Sequence, residues 1–304
     1  MSAPSVSSDA DAPTLELRQF ALGSADSRPA TQLSLRSDAW RIGLVGDWSA
    51  LFQLLSGNRE ACSGSARVLG CELERAIAQG VLGFAACNAP LPGSFTVSEY
   101  LRHAARLSHG SPSRAVHDAQ RALDRYGLAE LAKRKLSDLV LYQRRALGIA
   151  LSTLTAPAVV CLEAPLHDLD APSADYVARL CAEAAVHGRV LLSTPVPRSP
   201  SAERSLLDGC DEVIVHRRGE LVAKGAPSSV FAPGTRYLLA VKGPGIESFS
   251  RVLREAFVRL EPREQAGSFR VELPEASGAN TDLLLDTALD HGLIVLELEP
   301  LFAD

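Results

Sequence analysis

Apolar and polar positions alternate along TLELRQF (14–20) and again along TQLSLR (31–36), the period of a half-buried strand. From Trp40 the apolar residues run together and stop at Gly46, and SALFQLLSG follows with the spacing of a short helix. SARVL (65–69) and VLGFAA (81–86) read as further strands. Beyond the loop marked by Pro90, Pro92 and Gly93, TVSEYLRHAARL opens a helix with Thr96 as N-cap and Glu99 three residues later, a capping box. Residues 113–133 carry an amphipathic stretch broken near Gly127, and 136–153 a mostly apolar helix. That helix feeds AVVCLEAPLHDLDA (158–171), whose apolar run 159–162 reads as a buried parallel strand ending in Glu163. Residues 173–187 predict a helix, 189–194 a buried strand, and 211–216 with 219–224 a hairpin across Arg217, Arg218 and Gly219. Strands alternating with helices imply a mostly parallel, covered sheet.

The rhythm changes after 226–234, a stretch rich in Pro, Gly and Ser that reads as a linker. RYLLAVK, ESFSRVLREAFVRL, SFRVELP, TDLLLDTALDHG and LIVLELE then predict strand, helix, strand, helix, strand, a small α+β domain of ferredoxin-like type. The expected organisation is a disordered acidic tail over 1–13, a large domain over 14–233 with a helical subdomain at about 90–150, and a small domain over 234–304.

Composition removes several classes. A net charge of −5 provides no basic field for nucleic acid or anionic lipid. Six cysteines (62, 71, 87, 161, 181, 210) are scattered without a CxxC pair and suggest reduced cytosolic thiols. The histidines form no ligand-spaced pair, so no metal site is expected from them. No apolar run reaches membrane-spanning length, and MSAPSVSSDADAP lacks the features of a signal peptide.

Two stretches carry candidate chemistry. An acid at the C-terminal end of a buried strand, as at Glu163, sits where open α/β sheets bind ligands, and in a nucleotide hydrolase it holds the Mg²⁺ water shell. A plain core strand ending in a solvated acid fits that stretch equally well. Strand, glycine, helix at 40–56 is the frame of a phosphate-binding loop. Such a loop needs glycines to bring backbone N–H groups around the phosphates, a Lys for the β and γ oxygens, and a Ser or Thr for Mg²⁺. Here Gly46 is followed only by Asp47, Trp48 and Ser49 before the helix, without a Lys or a second glycine. Asp47 adds negative charge where a polyanion would sit. Ser49 reads as a helix N-cap, with a residual Mg²⁺ ligand as the alternative. For Trp48, packing at the helix start is preferred over stacking on a base.

Taken in order, these landmarks resemble an ABC transporter ATP-binding subunit. GLVG-DW-SALFQLLSG is similar to the Walker A strand, loop and helix, and LGFAACNAPLPGSFTVSEYLRHAARL to the Q-loop and the start of the helical subdomain. LSDLVLYQRRALGIAL resembles the signature helix, VVCLEAPLHDLDAPS the Walker B strand and D-loop, VLLSTPVP the H-loop strand, and CDEVIVHRRGELVAKGAP the closing hairpin. The segment ending ELEPLFAD is similar to the accessory domain of type-2 exporters. The implied fold is the P-loop NTPase type of ABC ATPases, a mixed sheet with a helical subdomain.

The departures fall on the polar site residues. Ser24 stands where the family stacks adenine on an aromatic ring. The Walker A glycines and Lys are deleted. Cys87 replaces the Q-loop glutamine, Ala164 the residue that polarises the attacking water, and Pro195 the H-loop histidine. The signature serine is Ser137, expected at a helix N-terminus, but Asp138 and Leu139 replace the glycines and Val140, Leu141 and Tyr142 precede Gln143. Glu163 stands at the Walker B acid and Asp170 in the D-loop. The resemblance with these losses implies a non-catalytic subunit without a bound cofactor. It would be cytoplasmic or peripheral on the inner membrane face, partnered by a membrane-spanning transport subunit and by a second copy or an active ABC ATPase. Two alternatives stand beside this: an atypical ATPase using Mg-ATP with Glu163, and a soluble adaptor that kept the fold.

Overall fold

The computed structural model describes residues 12–22, 31–57, 64–109, 111–186, 188–197, 201–217, 220–231, 236–256, 258–263, 267–273 and 281–300. The chain divides into two compact units, Met1–Pro227 and Ser228–Asp304, so the division falls inside the stretch expected as a linker.

The first unit opens with β1 (Leu15–Leu22), β2 (Thr31–Ser37) and β3 (Arg41–Gly46), which runs into α1 (Ser49–Leu55). β4 (Ser65–Val68), β5 (Cys71–Glu72), α2 (Leu73–Ala78) and β6 (Leu82–Ala85) follow. Three helices, α3 (Val97–His109), α4 (Pro112–Arg125) and α5 (Leu141–Thr153), form the helical part. β7 (Val159–Leu162), α6 (Ala171–Ala184), β8 (Arg189–Thr194), α7 (Ala202–Asp208), β9 (Glu212–Arg217) and β10 (Glu220–Gly225) complete it, and the short α8 (Pro227–Val230) lies across the division. The strands form a four-stranded sheet in the order β2-β1-β4-β5 and a six-stranded sheet in the order β10-β9-β3-β8-β7-β6. In the larger sheet β9, β3, β8, β7 and β6 are parallel, and only the edge strand β10 is antiparallel. All four residues of β7 are buried, as a parallel strand covered on both faces requires.

The core of this unit lies around α1. Leu15, Leu17, Phe20, Leu33 and Leu35 of the small sheet pack in one cluster with Leu51, Phe52 and Leu55 of α1 and with Ile42, Leu44, Val159, Leu191 and Ile214 of the large sheet. The capping box at Thr96 forms as expected. Glu99 Oε2 accepts from the Thr96 N–H (2.9 Å) and hydroxyl (2.8 Å), and Thr96 Oγ1 accepts from the Glu99 N–H at 3.3 Å.

The second unit is β11 (Arg236–Lys242), α9 (Ile246–Glu255), β12 (Arg259–Pro262), β13 (Ser268–Glu272), α10 (Thr281–Asp290) and β14 (Ile294–Pro300). Its sheet has the order β12-β13-β11-β14 with every pair antiparallel. This is the βαββαβ ferredoxin-like arrangement, with its own core around Leu239, Phe249, Leu253, Val271 and Leu284.

Four expectations are corrected. The apolar stretch 136–153 is not one helix: Leu136–Asp138 form a 3₁₀ turn, Leu139 and Val140 are extended, and α5 starts at Leu141. β12 supplies a strand absent from the expected order; the sequence there read as the tail of a helix ending at 260. α2 and β5 were not expected. Ala12 does not belong to a free tail, because its carbonyl accepts from Arg189 Nη1 at 3.0 Å, while Thr14 Oγ1 accepts from the same atom at 2.8 Å. Residues 1–11 of the expected tail, Ser24, Arg218 and Gly219, and 232–234 of the linker lie outside the described residues.

Candidate nucleotide site

Parallel strands place their C-terminal ends along one edge of a sheet, where ligands bind in open α/β folds. Gly46 ends β3, Pro195 follows β8, Glu163 follows β7 and Cys87 lies two residues past β6. The strand order therefore brings four sequence-selected positions to one edge. Ser137 and Asp170 lie on other elements, on the turn before α5 and at the start of α6.

The β3–α1 connection is closed on itself. Gly46 has φ +103°, and a Cβ there would stand 1.9 Å from the His216 carbonyl oxygen, so only glycine fits. Trp48 is 1% exposed and joins the core cluster. Its Nε1–H donates to the Val45 carbonyl at 3.0 Å, and its ring lies 5.5 Å from that of His216 at 60°. His216, itself buried on β9, sets its Nδ1 3.0 Å from the Asp47 carbonyl oxygen. Packing of Trp48 at the helix start is therefore what the fold adopts.

Asp47 turns its carboxylate back onto the start of α1. Its Oδ1 accepts from the Ser49 N–H at 3.1 Å and from the Ser49 hydroxyl at 2.7 Å. The N-cap is Trp48 and Ser49 is the first helical residue, which corrects the expected Ser49 cap. An internal anion thus occupies a helix-start N–H group of the kind that holds phosphate in a nucleotide-binding loop.

Glu163 also serves a local bond. Its Oε2 accepts from the Cys87 N–H at 3.1 Å and its own N–H donates to the Ala85 carbonyl at 2.9 Å, tying the exit of β7 to the exit of β6. Ala164, next in the chain, sits at φ +38°, and its N–H donates to Ser193 Oγ at 3.0 Å. A methyl side chain offers no base. Pro195 is exposed and brings no side-chain donor or acceptor.

The signature region differs from expectation. Ser137 donates to Asp138 Oδ1 at 2.9 Å, and both are exposed. Buried Leu139 separates them from α5, whose first turn is closed by the Val140 N–H donating to Gln143 Oε1 at 3.2 Å. Ser137 is therefore not at the N-terminus of that helix. Asp170 is a helix N-cap, accepting from the Ser173 N–H at 2.9 Å, and hydrogen bonding from the Ser173 hydroxyl, then from its N–H, holds the carboxyl below the usual range.

Sequence reasoning missed His216, Ser193 and Arg145. The available signal was weak: His216 and Ser193 are the first polar residues after the apolar runs VIV and VLL, and Arg145 is the last of three polar residues, Gln143 to Arg145, before an apolar helix segment. Thiol chemistry is absent from this edge at neutral pH. Burial pushes Cys161 up to about 12, and desolvation also raises Cys87, opposed by the Arg145 charge beside it. Among the described residues no group of three or more His, Cys, Asp or Glu could hold a metal ion, and no helix is long and apolar enough to cross a membrane.

The mixed sheet, the adjoining antiparallel sheet and the helical part between β6 and β7 are the fold of an ABC transporter ATP-binding subunit. A solved structure described as the ATP-binding subunit of an ABC transporter matches with a TM-score of 0.58 over 71% of this chain and 91% of its own, at 17% identity. Curated relatives are ABC transporter ATP-binding proteins. The chain is 28% identical over 173 residues to the uncharacterized ABC transporter ATP-binding protein YxlF of Bacillus subtilis. It is 29% identical over 175 residues to ATP-binding cassette sub-family G member 5 of Rattus norvegicus. It is 27% identical over 187 residues to the probable multidrug ABC transporter ATP-binding protein YbhF of Escherichia coli. These alignments cover 57%, 55% and 60% of this chain and 56%, 26% and 31% of the relatives. No family model matches.

Proposed function

We propose that this chain is a non-hydrolysing ATP-binding-type subunit of an ABC transporter, a structural or regulatory member of a membrane transport complex. The observation that carries the reading is the β3–α1 connection. Trp48 is buried in it, Asp47 holds the start of α1, and it has no lysine. Phosphoryl transfer depends on positioning and on positive groups that neutralise the phosphates. In this chain the loop, the Lys, the water-polarising residue and the H-loop histidine are replaced together. Removing one electrostatic group of this kind typically slows an enzyme by about a hundred- to a thousand-fold. The buried Trp48 and the Asp47 carboxylate on the Ser49 N–H support a reading without bound Mg-ATP, in which Glu163 and Ser49 act through their internal bonds.

The proposed setting is the cytoplasmic face of a membrane. The proposed partners are a membrane-spanning transport subunit, docked at the groove of residues 84–104, and a second ABC subunit, either a copy of this chain or an active ATPase. The kept fold supports a retained surface, because the substitutions removed polar site groups and left the apolar frame intact. Hydrolysis by the purified chain tests the reading. The expected rate with Mg-ATP equals the protein-free background. Mg²⁺-dependent hydrolysis that disappears in Glu163→Ala would overturn it and restore an unusual ATPase.

A further inference from the structure

The helical part encloses a cavity of about 410 Å³ between α3, α5 and the end of edge strand β6. Its walls divide by chemistry. Phe84, Leu91, Leu151 and Leu154 form an apolar side, and Arg144 and Arg145 form a cationic one. No Asp or Glu is among its lining residues, although the chain as a whole is acidic.

Arg145 is the unusual member. It is only 6% exposed, and its Nε has no acceptor among the described residues. Its Nη2 donates to the neutral His167 carbonyl at a long 3.3 Å. The nearby acids are engaged elsewhere. Glu163 accepts from the Cys87 amide, and Asp168 lies 3.4 Å from His167 Nε2. Arg121 and Arg125 of the helical part are by contrast paired with acids, Arg121 with Asp118 at 2.9 Å and Arg125 with Glu183 at 2.9 Å. Arg145 also bonds the Cys87 thiol, on which Glu163 and Asp168 act as well, but no carboxylate of the described residues forms an ion pair with it, and its planar fork fits an oxyanion. Arg144 adds a second positive charge on the same wall, its Nε–H donating to the Leu139 carbonyl at 2.9 Å.

We infer that this cavity is a binding site for a small amphipathic oxyanion, a carboxylate or phosphate head on an apolar body. The head lies on Arg145 and Arg144, and the body lies against Phe84, Leu91, Leu151 and Leu154. Phe84, Leu91, Tyr100 and Ala104 of this cavity also belong to the groove proposed for the membrane subunit, so the two occupants compete there; the isolated chain is the binder, and the inference does not rest on absent hydrolysis or on a docked partner.

Calorimetric and thermal-unfolding titrations of the full chain with octanoate, octyl phosphate and uncharged octanol test it. Saturable binding of one or both anions is expected, with no comparable response to octanol. The tighter of the two head groups identifies the natural class. In Arg145→Met the anion affinity falls at least tenfold while the unfolding midpoint stays at or above that of the parent, because an unpaired buried charge has been replaced by an apolar chain of similar length. Gly148→Leu fills the cavity and leaves both arginines in place. A Cβ at 148 meets only Ala85 Cβ, at 3.8 Å, so the added side chain starts without a backbone clash; with a native circular dichroism spectrum and a cooperative unfolding transition the variant is expected to lose the anion. Equal responses to octanol and the anions, no response at all, or anion binding unchanged in Gly148→Leu would overturn the assignment, even if Arg145→Met failed to fold.

Discussion

Trp48 makes the β3–α1 connection part of the core. The indole takes up space between the two sheets and satisfies its N–H on Val45, so the loop gains packing where a phosphate-binding loop keeps an open cradle. Trp48→Ala should therefore destabilise the chain by about 3–5 kcal/mol, the range for deleting a buried aromatic side chain, read from the denaturant midpoint. A ligand-facing tryptophan would instead lose little stability. The burial of Trp48 was legible because an apolar ring directly before an apolar helix has few other places to go. The fate of Ser49 was not. Whether Ser49 caps the helix or enters it depends on the rotamer of Asp47, and no spacing in the sequence encodes that choice. Glu163 was found as a polar residue at a strand end, but its partner is a backbone N–H 76 residues away.

Among elements, long periodic ones were readable, and short ones only where clustered apolar residues marked them, as at β4, β6 and β7. The capping box at α3 was visible because its two residues are three apart and both make their bonds within one turn. It also carries a pH signature. The Thr96 N–H and hydroxyl hold the Glu99 carboxyl below its ordinary 4.5, so the unfolded chain binds a proton more readily than the folded one. The resulting stability is fully present above 4.5 and is lost as pH falls through the folded value. Glu99→Gln keeps the cap without the titration. Its unfolding midpoint should fall less steeply below pH 4.5 than the parent's, and equal slopes would contradict the role given to Glu99. The missed elements are explained by length and mimicry. β5 has two residues and β12 four, too few to show a period. Leu136 and Leu139 are both buried and three apart, which imitates a helix face although Leu139 is extended.

At the scale of the molecule, the alternation of strands and helices was enough for the fold class and for the second unit. The order of strands in the large sheet is a non-local property, and it is what gathers Gly46, Cys87, Glu163 and Pro195 along one edge. Those positions were selected one by one from the chain, and their convergence is a finding of the fold. Along that edge lie the Glu163–Cys87 hydrogen bond, the Asp47–Ser49 hydrogen bonds and the packed Trp48 ring.

The measurement that bears most directly on this account is a Mg-ATP titration of the purified chain, followed by thermal unfolding and calorimetry. A ligand at a hundred times its dissociation constant stabilises a protein by about 2.7 kcal/mol. For a chain of this size that is a rise of roughly 5 °C or more in the unfolding midpoint. The account predicts no saturable heat and no shift at millimolar Mg-ATP. A saturable rise in the midpoint would mean that Asp47 and Trp48 vacate the start of α1 for phosphate, and would contradict it.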